Sequence, residues 1–316
     1  MSSNKYITAF APASIGNVAV GFDMLGLAID GVGDRVSVRK TETQSVSIKE
    51  IYDHNAQPHQ NLSREVDKNT ASIAASSLWE SYGTGCGIEL IIHKGIPLQS
   101  GMGSSAASAV AGVVAANALL DEPLEKSKLL SFALKGEEYA SGGVHADNVA
   151  PSLIGGLVFC PLNMLPETLS IEVSENLSSV LVHPDLFVNT AESRLSLKEN
   201  YSLSDMLLQQ SYLAGFLLGV KENNLSLIKD NLKDIIVEPQ RSSAVPCFDE
   251  IKKVAIQNGA FGCSLSGSGP SIFAICENND AKHIQSIMME TCKKEGYNCQ
   301  SWVSKLNSPG AYVESN

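Results

Sequence analysis

The stretch SGMGSSAASAVAGVVAAN, residues 100–117, carries the clearest structural signal in the chain. Glycines and paired serines precede small apolar residues without charge, which predicts a glycine-rich turn and then a helix from about Ser104. The free N–H groups and the dipole at such a helix start can hold a phosphate. The stretch has no lysine, although the common phosphate loop GxxxxGK[ST] requires one. Taken alone, it is equally compatible with a tightly packed helix of small residues.

The composition is that of an ordinary folded protein. The 316 residues are 44% hydrophobic and 18% charged, which suits about two globular domains. Acidic residues outnumber basic ones by 34 to 23, the formal net charge is −11, and no cluster of Lys and Arg exceeds a pair. We therefore expect no nucleic-acid partner, whereas a small-molecule site remains open.

The cysteines and the apolar runs bear on the compartment. Seven scattered cysteines form no CxxC pair, and those in LVFCP and IFAIC are expected to be buried thiols, which suits a reducing compartment. The N-terminus lacks the pattern of a signal peptide, and YLAGFLLGV falls far short of the roughly 20 residues of a membrane span. We expect a cytoplasmic protein without a membrane partner.

The first half of the chain reads as strands and helices around the opening stretch. Alternation predicts strands over 5–11 and 35–39, with a glycine-rich, partly looped segment between them. NTASIAASSLWESYG predicts a helix capped by Asn69 or Thr70, and CGIELIIHKGIP predicts a strand. A second helix is expected from Pro123 to about Tyr139, followed by a loop, SGGVHADNVAPSL.

The second half alternates strands and helices irregularly. IGGLVFCPL predicts a strand that closes a first domain over 1–162, and NMLPETLS is the linker to a second domain over 170–316. DMLLQQSYLAGFLLGV predicts a helix that is largely buried, because it is apolar nearly all round. FDEIKKVAIQNG predicts another helix, GCSLSGSGPS a loop and SIFAIC a strand. The order lacks the βαβ rhythm of a Rossmann domain, so we predict an α+β protein.

Several segments together resemble the GHMP kinases. PLQSGMGSSAAS is similar to the family's ATP loop, PxxxGxGSSAA, and GAFGCSLSGSGPSIFAI to its third motif. APASIGNVAVGFDMLGLAID resembles the first motif as homoserine kinases have it, and VHADNVAPSLIGG and EPQR are similar to segments of those kinases. The segments follow the family's order over about residues 9–275. Only small changes depart from the pattern, such as Met102 for the usual leucine.

The resemblance implies a fold and a reaction. The fold is the two-domain GHMP kinase fold, with an N-terminal domain like domain 2 of ribosomal protein S5 and a ferredoxin-like C-terminal domain. The reaction is transfer of the γ-phosphoryl of ATP to the δ-hydroxyl of L-homoserine in threonine biosynthesis. The residues implied for ATP are Asn69, Pro97, Leu98, Gln99, Ser100, Gly101, Met102, Gly103, Ser104, Ser105, Ala106 and Ala107. Asn69 is either an adenine-side contact or only a helix cap.

Magnesium is expected with ATP, because Mg²⁺ neutralises phosphate charge and takes hard oxygen ligands. Ser105 is one candidate ligand. Glu137 lies on the apolar stripe of the second predicted helix, where a carboxylate is costly unless it is paired or bound to metal. Periodicity does not separate Glu137 from Glu138, or from a solvated residue at a fraying end. The register of homoserine kinases favours Glu137.

Two neighbouring residues, His145 and Asp147, are candidates for proton transfer, and a third, Asn148, lies beside them in the sequence. Other GHMP kinases place an aspartate base in this region, whereas this chain resembles homoserine kinases in having Asn148, which cannot take a proton. A loose transition state needs little base, so we assign Asn148 to orienting the substrate hydroxyl. His145 either helps in binding and proton transfer or is a loop histidine. Asp147 is expected to support the loop through backbone hydrogen bonds.

The resemblance also supplies substrate contacts. Asn17 and Asp23 lie in the first motif, where Asp23 is implied for the ammonium or hydroxyl of homoserine, although an aspartate in such a turn is also a common Asx cap. Arg194 and Arg241 match arginines that contact substrate, and the guanidinium fork suits a carboxylate. Thr190 matches a position near the γ-phosphate.

Two alternatives remain at this point. One is another GHMP kinase, acting on a mevalonate- or shikimate-type substrate. The first motif and Asn148 argue against it. The other is a regulator that binds ATP without catalysis, against which Ser105 and Glu137 argue. The partners expected are a small-molecule substrate and a second copy of the chain in a homodimer.

Overall fold

The computed structural model describes residues 5–143 and 145–315. Its first sheet has the strand order β11-β1-β2-β4-β3, with β5 paired to β2 and β6 to β5. The strands are β1 Ile7–Gly16, β2 Leu25–Thr41, β3 Val46–Tyr52, β4 Gly87–His93, β5 Leu157–Phe159, β6 Leu169–Ile171 and β11 Tyr312–Val313. β2 is antiparallel to both β1 and β4, so it forms the middle of the sheet.

Four helices pack with this sheet around one apolar core. They are α1 Thr70–Tyr82, α2 Ser104–Asn117, α3 Leu130–Ser141 and α4 Ala146–Ile154. α2 is buried along nearly its whole length, since its small residues let neighbouring helices approach closely. A Cβ at Gly112 would lie 2.5 Å from the carbonyl oxygen of Ala71, and one at Gly136 would lie 2.5 Å from that of Thr70. These approaches bring the start of α1 against the middle of α2 and against α3.

The second sheet has the order β10-β7-β9-β8 and a core of its own. Its strands are β7 Leu177–Pro184, β8 Gly262–Leu265, β9 Ile272–Glu277 and β10 Cys299–Lys305. The helices of this half are α5 Thr190–Leu195, α6 Leu203–Lys221, α7 Leu225–Asn231, α8 Glu238–Arg241, α9 Phe248–Gln257 and α10 Asn278–Lys294. Two sheets with irregularly placed helices confirm the predicted α+β class.

The strongly periodic elements match the sequence-based predictions. α1 has Asn69 as its N-cap, and α2 begins at Ser104. The predicted strands of LVFCP and IFAIC bury Cys160 and Cys276, and all seven cysteines are free thiols. The domain boundary near residues 162–170 stays a prediction, and the structure adds that β6 and β11 join the first sheet.

Two predictions about helices in the first half are wrong. The segment predicted as a loop after α3 contains α4, which includes Pro151. Pro151 has no N–H to donate to the carbonyl of Asp147, and Gly26 of β2 packs directly against that carbonyl, so tertiary contact stabilises a helix that the local sequence disfavours. The helix expected from Pro123 begins only at Leu130, after a 3₁₀ turn over Lys126–Leu129.

The prediction that α6 is largely buried is also wrong. Only Phe216, Gly219 and Val220 of this helix are buried, whereas Leu203 and Leu207 are 75% and 54% exposed. The helix lies at the surface and packs one side against α7, so apolar residues around its circumference did not indicate burial. Across the residues that the structure describes, no helix combines the length and the apolar character needed to cross a membrane.

Candidate active site

A cavity of about 430 Å³ lies where the ATP loop meets α3, α4, α5 and α8. Most of the predicted site residues line it: Asn17, Asp23, Asn69, Leu98, Gln99, Ser100, Gly101, Gly103, Ser104, Ser105, Glu137, His145, Asn148, Thr190, Arg194 and Arg241. The other four are Pro97, Met102, Ala106 and Ala107. Met102, Ala106 and Ala107 are fully buried in the core. Residues spread over more than 200 positions therefore converge on one site.

The ATP loop is shaped by its contacts with two distant segments. Gly101 and Gly103 have φ of 72° and 66°, a conformation that favours glycine. The N–H of Ser14 donates to the carbonyl of Met102 at 3.1 Å, and the hydroxyl of Ser266 donates to the carbonyl of Gly101 at 2.5 Å. A Cβ at Gly103 would lie 2.3 Å from Ser14 Oγ, so the protein itself requires this glycine, whether or not a phosphate is bound.

The two predicted magnesium ligands both line the cavity. Glu137 is 6% exposed, whereas its neighbour Glu138 is exposed to solvent, so the face of α3 that meets α1 and α2 carries Glu137. Ser105 lies in the first turn of α2. The described residues contain no cluster of three or more His, Cys, Asp or Glu suited to a metal. One carboxylate and one hydroxyl suit Mg²⁺, which commonly takes its remaining oxygens from water and substrate phosphates.

Asn148, Asp147 and His145 occupy different positions around the cavity. The hydroxyl of Ser14 donates to Oδ1 of Asn148 at 3.0 Å, which fixes the orientation of the amide in the cavity. Oδ2 of Asp147 accepts the backbone N–H of Asn17 at 3.1 Å, a hydrogen bond of the backbone type that the sequence predicts for Asp147. Burial, with the negative charge of Asp23 nearby, raises the pKa of Asp147 to about 6. His145 lies 3.6 Å, Nδ1 to Oδ1, from Asp23, whose carboxylate raises the pKa of the imidazole.

The arginines gather around the first motif. Arg194 forms an ion pair with Asp23 through both terminal nitrogens. The guanidinium carbons of Arg194 and Arg241 lie 5.5 Å and 5.3 Å from the ring centre of Phe22. Arg241 is 6% exposed and donates to the carbonyl of Gly267 at 3.1 Å. Its buried Nε has no hydrogen-bond partner among the residues that the structure describes, which favours an anionic ligand beside it.

Two predicted asparagines already make bonds within the protein. Oδ1 of Asn17 accepts the N–H of Asp23 at 3.0 Å, and its Nδ2 donates to the carbonyl of Gly267 at 3.2 Å. Oδ1 of Asn69 accepts the N–H of Ala71 at 3.1 Å, so Asn69 is a helix cap. It also lines the cavity, and its contact with adenine stays a prediction. Thr190, at the start of α5, lies 3.3 Å from Ser268, Oγ1 to Oγ.

Sequence reasoning missed two buried charged residues beside the ATP loop. Lys94 follows β4 and lines the cavity, and Asp34 of β2 forms an ion pair with it. A lysine directly after the apolar strand IELIIH was the available signal. The aspartate gave none, because it lies 60 residues away in sequence.

Family comparison agrees with this architecture. The model of the GHMP kinases N terminal domain matches residues 69–156, and that of the GHMP kinases C terminal domain matches residues 216–294. Both matches, with the full-length relatives below, place the chain: it belongs to the GHMP kinase family, and it is an ATP-dependent kinase.

Several family members that are similar to this chain over nearly its full length are homoserine kinases. The homoserine kinase of Xylella fastidiosa is 43% identical over 304 residues, covering 96% of this chain and 92% of that protein. The homoserine kinase of Chlorobium phaeobacteroides is 39% identical over 323 residues, covering 98% and 99%. The crystal structure of homoserine kinase from Cytophaga hutchinsonii superposes with a TM-score of 0.93 at 40% identity and covers 99% of each chain. These findings confirm the two-domain fold that the motifs imply.

Proposed function

We propose that this chain transfers the γ-phosphoryl group of ATP to the hydroxyl of L-homoserine, giving O-phospho-L-homoserine and ADP. The observation that carries the substrate assignment is the buried guanidinium of Arg241, whose Nε has no partner among the described residues. It lines the same cavity as the ATP loop and the Asp23 carboxylate. A substrate that is both anionic and cationic, as an amino acid is, complements this set. The names of the similar proteins support the same substrate.

The ATP loop binds phosphate through its backbone. The N-cap of α2 is Gly103, which has no side chain to accept from the first N–H groups of the helix, so these groups are available at the cavity. The helix dipole adds a favourable field for negative charge at this end. Ser104 and Ser105 line the cavity beside these groups.

Magnesium is part of the proposal, with Ser105 and Glu137 as the residues that would hold it. Bound there, the ion would neutralise the negative charge of the phosphates. Glu137 suits this role because a buried carboxylate needs a cation or hydrogen-bond donors to offset its desolvation.

The acceptor is oriented by charge. Arg241 and Arg194 bind its carboxylate, and Asp23 binds its ammonium. Asn148, held by Ser14, directs the hydroxyl oxygen toward the γ-phosphorus. Thr190 and His145 line the same cavity, and His145 lies beside Asp23. In this proposal Thr190 contacts the γ-phosphoryl group.

The reaction needs no side-chain base in this scheme. The hydroxyl oxygen forms a bond to the γ-phosphorus while the bond from that phosphorus to the β,γ-bridging oxygen breaks. The hydroxyl proton passes late to an oxygen of the transferred phosphoryl, and ADP leaves. Phosphoryl transfer depends mainly on positioning and charge stabilisation, so these steps can proceed without a side-chain base.

The test is ADP release by the purified chain with a panel of alcohols. L-homoserine is compared with 3-aminopropanol, which lacks the carboxylate, 4-hydroxybutyrate, which lacks the amine, and mevalonate and shikimate. We expect each analogue to be used at least roughly 100-fold less efficiently, in kcat/KM, than L-homoserine, because it leaves buried polar groups unpaired. Equal use of an analogue, or a preference for mevalonate, would leave only the broader family assignment. The homodimer expected from the sequence stays a prediction, which light scattering would test.

A further inference from the structure

The ATP loop is attached at both ends to one buried carboxylate, that of Asp34. Asp34 is fully buried on β2. Its Oδ1 accepts the backbone N–H groups of Gly95 and Ile96, at 2.9 and 3.1 Å, where the loop leaves β4. Its Oδ2 accepts the hydroxyl of Ser108 at 2.6 Å, in α2 beyond the loop. The same oxygen also accepts a hydrogen bond from Lys94.

The ammonium of Lys94 completes this network and is fully used by it. Besides Asp34, it donates to the carbonyl of Ser104 at 2.9 Å and to Oγ of Ser108 at 2.6 Å. An ammonium has three hydrogens, and these three acceptors account for all of them. Lys94 is 5% exposed, and the Asp34 carboxylate balances its charge. It therefore has neither a spare donor nor an uncompensated charge for a phosphate.

We propose that Asp34 and Lys94 are positioning residues for nucleotide binding, which hold the ATP loop in its binding conformation without touching the phosphates. This inference rests on the proposed function of the loop as the ATP site. The carboxylate ties the loop's entry to α2, and the ammonium ties the first turn of α2, through Ser104, to the same point. A loop held in its bound shape binds with a smaller loss of conformational entropy.

The alternative is that Lys94 is a phosphate ligand, as the lysine of the common phosphate loop is. The two roles predict opposite effects for Asp34→Asn. If Lys94 bound phosphate, removal of the competing carboxylate would leave its positive charge free and strengthen nucleotide binding. If the pair positions the loop, Asp34→Asn breaks the bonds to Lys94 and Ser108, which releases the α2 end of the loop and weakens binding.

The experiment measures ADP affinity by calorimetry for the wild type, Asp34→Asn, Lys94→Met and Ser108→Ala. The matched control is Arg39→Met, which breaks an ion pair with Glu89 across the same two strands, away from the loop. We expect ADP to bind roughly 10- to 100-fold more weakly to Asp34→Asn and Lys94→Met, about the effect of losing a hydrogen bond between charged groups. Arg39→Met should retain wild-type affinity. The KM for L-homoserine should change much less than the KM for ATP.

Other results overturn the proposal. Unchanged ADP affinity in a folded Lys94→Met variant would make the pair merely structural, and tighter ADP binding to Asp34→Asn would make Lys94 a phosphate ligand. If both variants fail to fold, Ser108→Ala decides, because it removes only a hydroxyl of the network: unchanged affinity contradicts the proposal and a weaker one supports it. A wild type that binds ADP but does not phosphorylate L-homoserine would contradict the proposed function alone.

Discussion

Both terminal nitrogens of Arg194 donate to a single oxygen of Asp23, Oδ2, inside the cavity that we assign to the substrate. The residue expected to bind the substrate carboxylate is thus paired with the residue expected to bind its ammonium. An amino acid that enters between them replaces one ion pair by two. An analogue with only one charge leaves one of the two side chains without a partner.

Asp23→Asn should therefore reduce the ability of the enzyme to select substrates that carry an amine over those that lack one. We expect the KM for L-homoserine to rise roughly 10- to 100-fold, as for a lost hydrogen bond between charged groups, and the KM for ATP to change little. The preference for L-homoserine over 4-hydroxybutyrate should shrink, because that preference depends on the carboxylate of Asp23. Arg241→Leu is the matched comparison and should instead reduce the preference over 3-aminopropanol. An Asp23→Asn enzyme that still rejects 4-hydroxybutyrate as strongly as the wild type would show that Asp23 does not bind the ammonium.

Neighbouring glutamates on α3 provide a test of the metal site. Glu137→Gln should lower kcat and weaken the dependence of the rate on Mg²⁺, because the buried carboxylate becomes neutral. Glu138→Gln changes the exposed neighbour and should have little effect. A magnesium titration of the rate for both variants makes the measurement. If the two variants exchanged their behaviour, the ligand would be Glu138.

Asp147→Asn separates support of the loop from base catalysis. The asparagine can still accept the N–H of Asn17, so we expect most of kcat to remain. A base contributes roughly 10²- to 10⁴-fold to a rate, so a loss of that size in steady-state kinetics would identify Asp147 as the base. Circular dichroism of the variant serves as the control for the fold.

The same variant should change how stability depends on pH. Burial raises the pKa of Asp147 from 3.8 to about 6 in the folded protein. Between these values the folded state keeps a proton that the unfolded state releases, so this group lowers stability as the pH rises from about 4 to 6. The cost persists above that window and is at most about 3 kcal/mol.

Urea unfolding at pH 4 and pH 7.5 measures the effect. The free energy of unfolding of Asp147→Asn, relative to that of the wild type, should be higher at pH 7.5 than at pH 4, because the variant lacks the buried ionisable group. Gln257→Ala, at an exposed side chain that does not ionise, is the control and should show the same difference at both values. If the difference in free energy of unfolding between Asp147→Asn and the wild type does not vary with pH, the raised pKa of Asp147 is contradicted.

The sequence predicted what depends on local pattern and on motif. Helix α1, its Asn69 cap and the start of α2 follow from periodicity and capping alone. The motifs located most of the cavity, since each of them contributes lining residues. α4 was missed because two glycines and Pro151 are strong local signals for a loop, and packing against Gly26 outweighs them.

Other features depend on contacts between distant residues and have no local signal. Glu137 and Glu138 are adjacent on one helix, and only the packing of α3 against α1 and α2 distinguishes the buried residue from the exposed one. The Asp34–Lys94 pair forms because β2 and β4 are neighbours in the sheet. The exposure of α6 depends on which other elements of the fold pack against it. Apolar residues around the circumference of a helix do not specify those elements.

The close contact at Gly101 has a consequence for dissecting this enzyme. A Cβ there would lie 2.4 Å from the carbonyl oxygen of Ser266 and 2.6 Å from that of Gly269. The ATP loop, in the first half of the chain, therefore packs directly against backbone of the second half. A fragment truncated near residue 162 would carry every residue of the ATP loop and lose the surface that shapes it. A hybrid of two family members has to preserve the same close fit between the loop at position 101 and the backbone of segment 266–269.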